Sequence, residues 1–451
     1  MSTIKIIVSD LHLADGSPVL DCFSAGQQVA LEGLLHAAST ASLVTATPDA
    51  SVELVINGDC FDFLVTTPYT SDGIVDQPIA LRKIEKIIAA HGPFFAALRS
   101  FITPPGRSVT FITGNHDLEL CFAQIRARVC AAITGQESDA RVYFCPTRFY
   151  RPLPDVYIEH GNHYDFWNHA VQGLWDELGQ PLTRNPEHIT LSVGSRYFQH
   201  SAYLTSLRYP YFDHFEPSMN TTRQIALLSL LNPALIIETA QRTMQLLSYS
   251  RLALATLLSG EEKIPVRLFE EAMSDFVAFQ EDMVAQKPDW TGPSADIQVS
   301  PAEMQEFMQL RAALSLPLVE AVKAICIPEV YQMGESVARG MHAILQQSPQ
   351  VRYAIAGHTH MLRNDTLNAG MQVYLNTASW TQRFALPAPA EMTPELLGWL
   401  CVPDWNAIPL RDVTQLVFAL VTASEDSPAH ARLCVWEDDV HADRGNYRIL
   451  A

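Results

Sequence analysis

Apolar and polar residues follow two rhythms along this chain. Short β-branched runs recur at Ile4–Val8, Val52–Ile56, Val109–Ile112, Val156–Ile158 and Val351–Ala356, and each stops at polar residues. Continuous apolar runs of this length read as strands buried on both faces. Between the early runs the spacing turns helical. Ile84, Ile87, Ile88, Phe94, Phe95 and Leu98 fall on a helical period within Ile79–Phe101, with Pro93 as a kink or a new start. Strand alternating with helix predicts an α/β core.

From about Phe166 to Gln347 strand signals thin out. Gln224–Leu230, Ala240–Leu258, Leu268–Val284 and Met304–Ala324 read as helices, punctuated by Gly260, Pro288, Gly292, Pro293 and Pro301. Strand character resumes at Val351, Val373–Leu375, Gln415–Val421 and Arg432–Trp436. The expected organisation is one α/β domain in two parts, 1–165 and 348–451, interrupted by a helical insert or cap over 166–347. No internal repeat or low-complexity tract stands out.

Composition narrows the class. An apolar share of 48% and a charged share of 18% over 451 residues suit a globular protein with a sizeable core. Thirty basic against 49 acidic side chains give a formal charge of -19, which argues against a broad grip on duplex nucleic acid. Such a chain still takes an anionic substrate if metal ions supply local positive charge. The 8 cysteines show neither a C-x-x-C pair nor zinc-finger spacing and read as reduced thiols. Met1–Lys5 runs straight into Ile6, Ile7, Val8 and then Asp10, unlike a secretory signal. No stretch of ~20 uninterrupted apolar residues would span a bilayer, and the nearest candidate, Ile225–Ile237, is broken by Asn232 and Pro233. The expectation is a soluble, cytoplasmic protein without a transmembrane segment; peripheral membrane contact and homo-oligomerisation stay open.

The chemistry collects at the strand ends. Asp10 and His12 follow the first run; Gly58, Asp59 and Asp62 the second; Gly114, Asn115, His116 and Asp117 the third; His160 and Gly161 the fourth; Gly357, His358, Thr359 and His360 the fifth. Ligands of open α/β sheets gather at the carboxyl ends of strands, so five such clusters can converge on one site. Carboxylates, imidazoles and an amide oxygen suit a pair of divalent ions, Mn, Fe, Zn, Ni or Co. Two ions about 3.5–4 Å apart clamp a phosphoryl group and turn a bridging water into hydroxide. One carboxylate must bridge them, and Asp59 is the natural candidate.

Asp10-Leu11-His12, Gly58-Asp59-Cys60-Phe61-Asp62, Gly114-Asn115-His116-Asp117, His160-Gly161 and Gly357-His358-Thr359-His360, in this order, resemble the signature of the calcineurin-like metallophosphoesterases. The resemblance covers about 1–165 and 350–380 with the closing strands, and says little about the insert. It implies an α/β (α+β) fold, a four-layer αββα double β-sandwich, and a metal-dependent phosphoric ester hydrolase. The substrate would be a small phosphodiester, phosphomonoester or pyrophosphate, attacked by a metal-bridging hydroxide. It implies that Asp10, His12, Asp59 and His360 hold one ion, and that Asp59, Asn115, His160 and His358 hold the other. His116 would contact the phosphoryl oxygen or protonate the leaving group, with Asp62 bonded to it. Asn162-His163-Tyr164-Asp165 and Asn376-Thr377-Ala378-Ser379-Trp380 are similar to uncharacterised bacterial members. The Gly58–Asp62 stretch is also similar to bacterial UDP-diacylglucosamine pyrophosphatases, enzymes of the membrane surface. Those are much shorter and carry Arg where His116 stands. A non-catalytic scaffold of the same fold is a further alternative, although scaffolds lose ligands that are all present here.

Each residue also has a bland reading. Asp10, His12 and Asp62 could cap turns or helices, the histidines could be satisfied core groups, and Asp117 could cap the next helix. Cys60 reads as a buried thiol. His163, Asp165 and Asn168 could face substrate, support a ligand or be structural. Arg196–Phe215 mixes aromatic and basic residues, and Arg208 and Tyr211 are its candidate substrate contacts. Arg363 and Arg383 are further candidates.

Overall fold

A computed structural model describes residues 2–39, 50–69, 73–165, 168–169, 174–176, 178–183, 185–199, 203–216, 334–385, 387, 391, 393–424, 427–437 and 446–450. The four long helices expected between Gln224 and Ala324 lie outside them. In chain order the strands are β1 (Thr3–Val8), β2 (Ser51–Asn57), β3 (Ile74–Asp76), β4 (Arg107–Ile112), β5 (Val142–Phe144), β6 (Phe149–Leu153), β7 (Val156–Glu159), β8 (His188–Thr190), β9 (Phe215–Glu216), β10 (Tyr353–Ala356), β11 (Leu362–Leu367), β12 (Gln372–Thr377), β13 (Phe384–Ala385), β14 (Leu416–Ser424), β15 (Ser427–Glu437) and β16 (Asn446–Ile449). The helices are α1 (Ala25–Ser39), α2 (Gln77–Ala90), α3 (Gly92–Ile102), α4 (Ala123–Thr134), α5 (Val193–Tyr197), α6 (Tyr203–Arg208), α7 (Glu335–Gln347) and α8 (Pro394–Cys401).

The result is a mixed α/β protein with two large sheets. One runs β16-β15-β14-β1-β2-β4-β5 and the other β11-β12-β10-β7-β6. In the first, β1, β2, β4 and β5 are parallel neighbours. In the second, β7, β10 and β12 are parallel. All the apolar runs read as buried strands belong to these sheets. Successive side chains of a strand point to opposite faces, and β1 shows the consequence. Ile4, Ile6 and Val8 pack with Leu31 and Leu34 of α1, Ile84 of α2, Phe94 of α3 and Ile125 of α4. Ile7 instead packs with Val55, Ile158, Ile355, Leu375 and Val417, which come from both sheets. The second sheet's other face sets Tyr157, Ala354 and Tyr374 against Val337, Met341 and Leu345 of α7.

Local rules explain several boundaries. The Asp76 side chain accepts from Ile79 N and caps α2. The chain breaks at His91, and Gly92-Pro93 begins α3 afresh, so Pro93 marks a new start. β11 has no apolar run. Its residues alternate between exposed and half-buried on a sheet edge, so its pattern does not announce a strand. The stretch expected to be helical contributes two short strands, β8 and β9, paired with β3 and β13. Tyr164 touches α7 so closely that a Cβ on Gly340 would lie 2.3 Å from its ring, and a Cβ on Gly161 would lie 2.9 Å from Val337. Among the described residues no helix is long and apolar enough to cross a membrane.

Trp380 ties the loop after β12 to the first sheet. It is fully buried; its indole N–H donates to Val417 O at 2.6 Å and its backbone N–H to Asp10 O at 3.1 Å. Trp380→Ala should destabilise by about 3–5 kcal/mol. Trp380→Phe should lose about 1–3 kcal/mol by leaving the Val417 carbonyl unpaired. Urea unfolding followed by circular dichroism checks the order, and wild-type stability in Trp380→Phe would deny the hydrogen bond its role.

Candidate metal centre

The parallel strands deliver their carboxyl ends to one place, and the backbone then turns sharply. Asp10, His12, Asp59, His358 and His360 all take positive φ, between 49° and 68°. Non-glycine residues rarely adopt this region, and strain of this kind clusters at functional sites. Glycines let the loops close. A Cβ on Gly114 would lie 2.1 Å from Asp59 Oδ1, one on Gly58 2.3 Å from His160 Nδ1, and one on Gly357 2.5 Å from Asp10 Oδ2.

Among the described residues three groups of side chains could each hold an ion: Asp10, His12 and His360; Asp59, His160 and His358; and His12, Asp62 and His116, the first and last sharing His12. In the first, His360 Nε2 lies 3.2 Å from both Asp10 Oδ1 and His12 Nε2. Asp59 joins the first two groups. Its Oδ1 accepts the His116 backbone N–H at 2.8 Å. Its Oδ2 stands 3.1 Å from His160 Nε2 and 3.9 Å from His12 Nε2. His160 Nδ1 donates to Asn57 O at 2.8 Å, so in the neutral ring Nε2 carries the lone pair; opposed by burial, the Asp59 and Asp10 carboxylates lift the pKa of this ring to about 10. Asn115 Oδ1 is buried without a hydrogen-bond partner, the state expected of an atom that meets a cation, and His160 Nε2 faces Asp59 Oδ2 beside it.

Asp62 does more than the sequence suggests. One oxygen, Oδ2, meets both His116 Nδ1 and His12 Nδ1 at 3.0 Å, while Oδ1 accepts from Leu64 N and Val65 N. Asp117 does not cap the following turn with its side chain. It accepts from Gly114 N at 2.6 Å and Cys60 N at 2.9 Å, stitching two site loops together. The Asn376–Trp380 segment ties two more. Asn376 Nδ2 donates to Gly357 O, Ser379 Oγ to Asp10 O, and the Thr377 and Ser9 hydroxyls meet at 2.8 Å.

Burial raises the cost of charge on every carboxylate here. In Asp10 that cost is outweighed by the hydrogen-bonding imidazole of His360 and by the charge His160 carries when protonated, which hold its pKa at about 2. Asp59 is likewise pulled well below the usual range by His160 and His116. His116 is opposed by burial but lifted to about 9 by Asp62 and Asp59. Asp117 goes the other way, to about 7, because burial and the Asp59 charge both disfavour its ionised form. His360 falls to about 3, since burial and the Arg383 guanidinium outweigh Asp10.

The substrate candidates fare differently. Asp165 Oδ2 bonds His358 Nε2 at 3.0 Å and so supports a candidate ligand. His163 is half-buried against His169, with ring centroids 4.1 Å apart, and burial keeps it neutral with a pKa of about 3. Arg208 ends α6 as an exposed side chain, and the hydrogen bonds of the centre do not reach it among the described residues. Tyr211 needs correction as a substrate contact. It is fully buried against Phe212, Phe215 and Trp399, and its hydroxyl donates to Leu400 O at 2.6 Å, so it is spent on packing. Arg363 is engaged with Glu335 and Asp365. Arg383 is the cation that does reach the centre. It is buried, bonds His360 Nδ1, and donates to Asp213 O at 2.9 Å. The partners missed from the sequence are Asn57 and Asp213, which act through main-chain carbonyls and leave no side-chain signal.

No family model matches the chain. No curated protein matches it significantly. Among solved structures, it matches the crystal structure of a dimetal phosphatase from Danio rerio (LOC 393393) at 11% identity, over 96% of this chain and 95% of that one, with a TM-score of 0.29. At that level of agreement the likeness carries no argument for this chain.

The glycine geometry gives a direct check. Gly92 meets nothing within 4 Å of a built Cβ and lies at the start of α3, so Gly92→Ala should be neutral or stabilising by about 0.5–1 kcal/mol. Gly114→Ala, driven into Asp59, should cost about 1–3 kcal/mol or more. Thermal unfolding of the two variants should move in opposite directions or differ sharply; equal midpoints would contradict the packing of this loop.

Proposed function

We propose that the chain is a dinuclear-metal phosphoesterase on a metallophosphoesterase-like, four-layer αββα core. The observation that carries this reading is the position of Asp59 Oδ2 between two nitrogen and oxygen clusters, beside a buried Asn115 Oδ1 with no hydrogen-bond partner. The layer order is supported by three of the apolar cores among the described residues, one between helices and the first sheet, one between the sheets, and one under α7. Residues 1–165 and 348–451 supply both large sheets of this core and 166–347 are inserted between them, with α7 at the end of that stretch packed on the second sheet. The packing of Tyr164 and Gly161 onto α7 supports that division, for it brings the ends of the insert together.

Asp10, His12, Asp59 and His360 would hold one ion, and Asp59, Asn115, His160 and His358 the other, with Asp59 shared. This donor set fits divalent first-row metals such as manganese, and two such ions would supply Lewis acidity and a hydroxide nucleophile at neutral pH. The chain's own groups do the rest. His116 stands at the edge of the centre, partly exposed, with Nδ1 held by Asp62, which leaves Nε2 to donate a proton to the leaving oxygen. The Asp62 carboxylate fixes that tautomer and favours the protonated ring. Arg383 donates to Asp213 O and meets His360 Nδ1; that second contact would open when His360 gives Nε2 to an ion with its proton on Nδ1, which would leave the guanidinium to face a phosphoryl oxygen. A substrate carrying one phosphodiester, phosphomonoester or pyrophosphate group meets these requirements.

Elemental analysis of protein purified without chelator should find about two transition-metal ions per chain. Asp59→Asn should reduce both. His116→Ala should keep both ions and lose roughly 10²–10⁴ in turnover of an activated phosphodiester or monoester with Mn²⁺ supplied. A wild-type protein that hydrolyses phosphate esters with no bound transition metal would overturn the proposal, and metal loss in His116→Ala would remove that residue from its role.

A further inference from the structure

The two histidines of the second cluster are fixed by different acceptors. His160 gives its Nδ1–H to a backbone carbonyl, Asn57 O. His358 instead meets a carboxylate, with Nε2 at 3.0 Å from Asp165 Oδ2. An ionised carboxylate only accepts hydrogen bonds, so this nitrogen carries the proton and only Nδ1 is left to meet a cation. Asp165 is itself held in place. Asn168 Nδ2 donates to the same oxygen at 2.7 Å, and Asn162 Nδ2 bonds Asn168 O at 3.0 Å. A short turn after the ligand strand β7 thus reaches across to a ligand that follows β10.

We propose that Asp165 is a positioning residue for the metal centre: it commits His358 to bind through Nδ1 and orients the ring toward Asp59 and His160. The inference rests on the dinuclear reading above. A carboxylate on the far nitrogen of a metal-bound imidazole fixes ring and tautomer and raises ligand basicity, and losing such a partner usually weakens metal binding by about 10–100-fold. Asp165 bonds His358, which the dinuclear reading gives to one ion of the pair, so its loss should fall on that ion.

The test is Mn²⁺ titration of metal-stripped full-length protein by calorimetry, with ¹⁵N-histidine NMR on the metal-free form. Wild type should bind two equivalents. Asp165→Ala should weaken one of them by about 10–100-fold and leave the other unchanged. Asp165→Asn, whose amide oxygen still accepts from Nε2–H, should fall between the two. The His358 resonances, identified by their loss in His358→Gln, should show the Nε2–H tautomer in wild type and lose that preference in Asp165→Ala. Wild-type affinity for both ions in Asp165→Ala, parallel weakening of both, or an Nδ1–H tautomer in wild-type His358 would each overturn the proposal. If wild type binds fewer than two equivalents, the dinuclear reading fails instead, and the Nε2–H signal still decides whether Asp165 sets the tautomer.

Discussion

Three carboxylates, Asp10, Asp59 and Asp62, lie almost wholly buried within one site, at 0%, 1% and 5% exposure. Taking isolated negative charge out of water costs several kcal/mol per ion, and such groups persist only if cations or hydrogen bonds answer them. Much of the centre follows from that requirement. Asp62 spends both oxygens on two backbone N–H groups and two imidazoles. Asp10 is answered by His360 and by the His358 backbone N–H. Asp59 has one oxygen satisfied by the His116 backbone, while the other faces histidine nitrogens that hold no proton for it when neutral. Divalent cations would resolve the imbalance better than protonated imidazoles, because they would satisfy the carboxylate, the amide oxygen and the imidazole lone pairs together.

The same requirement explains the strained backbone. To bring polar groups from both sheets to one point, the chain must turn at once after each strand. Five candidate ligands accept left-handed φ values to do so, each costing on the order of 1–3 kcal/mol. The strain is held by bonds between loops: Asp117 across Gly114 and Cys60, Asn376 to Gly357, and Ser379 with Trp380 to Asp10. The buried apolar contacts between the sheets keep the two halves of the site in register.

The strand ends were legible because buried parallel strands are written as unbroken apolar runs, and polar residues directly after them have few other places to go. Glycines at 58, 114 and 357 could be read as close approaches, and the structure shows what each approaches. Other features were not legible. The bond from Asp62 to His12 depends on where two loops cross. The bond from Asp165 to His358 joins residues 193 apart in sequence. β11 is an edge strand with half-wet faces and so carries no apolar run. Tyr211 looked like a ligand contact because aromatic and basic residues crowd Arg196–Phe215, but aromatic packing makes the same pattern, and burial decided between them.

On the proposed function Asp59 Oδ2 would be shared by two metal ions, one toward His12 and His360, the other toward His160 and His358. Anomalous diffraction from crystals grown with Mn²⁺ tests it most directly. Two peaks should appear about 3.5–4 Å apart, both within bonding distance of Asp59, with Asn115 Oδ1 at the peak shared by His160. A single peak, or peaks at the His12, Asp62 and His116 group that leave Asp59 without metal, would contradict it.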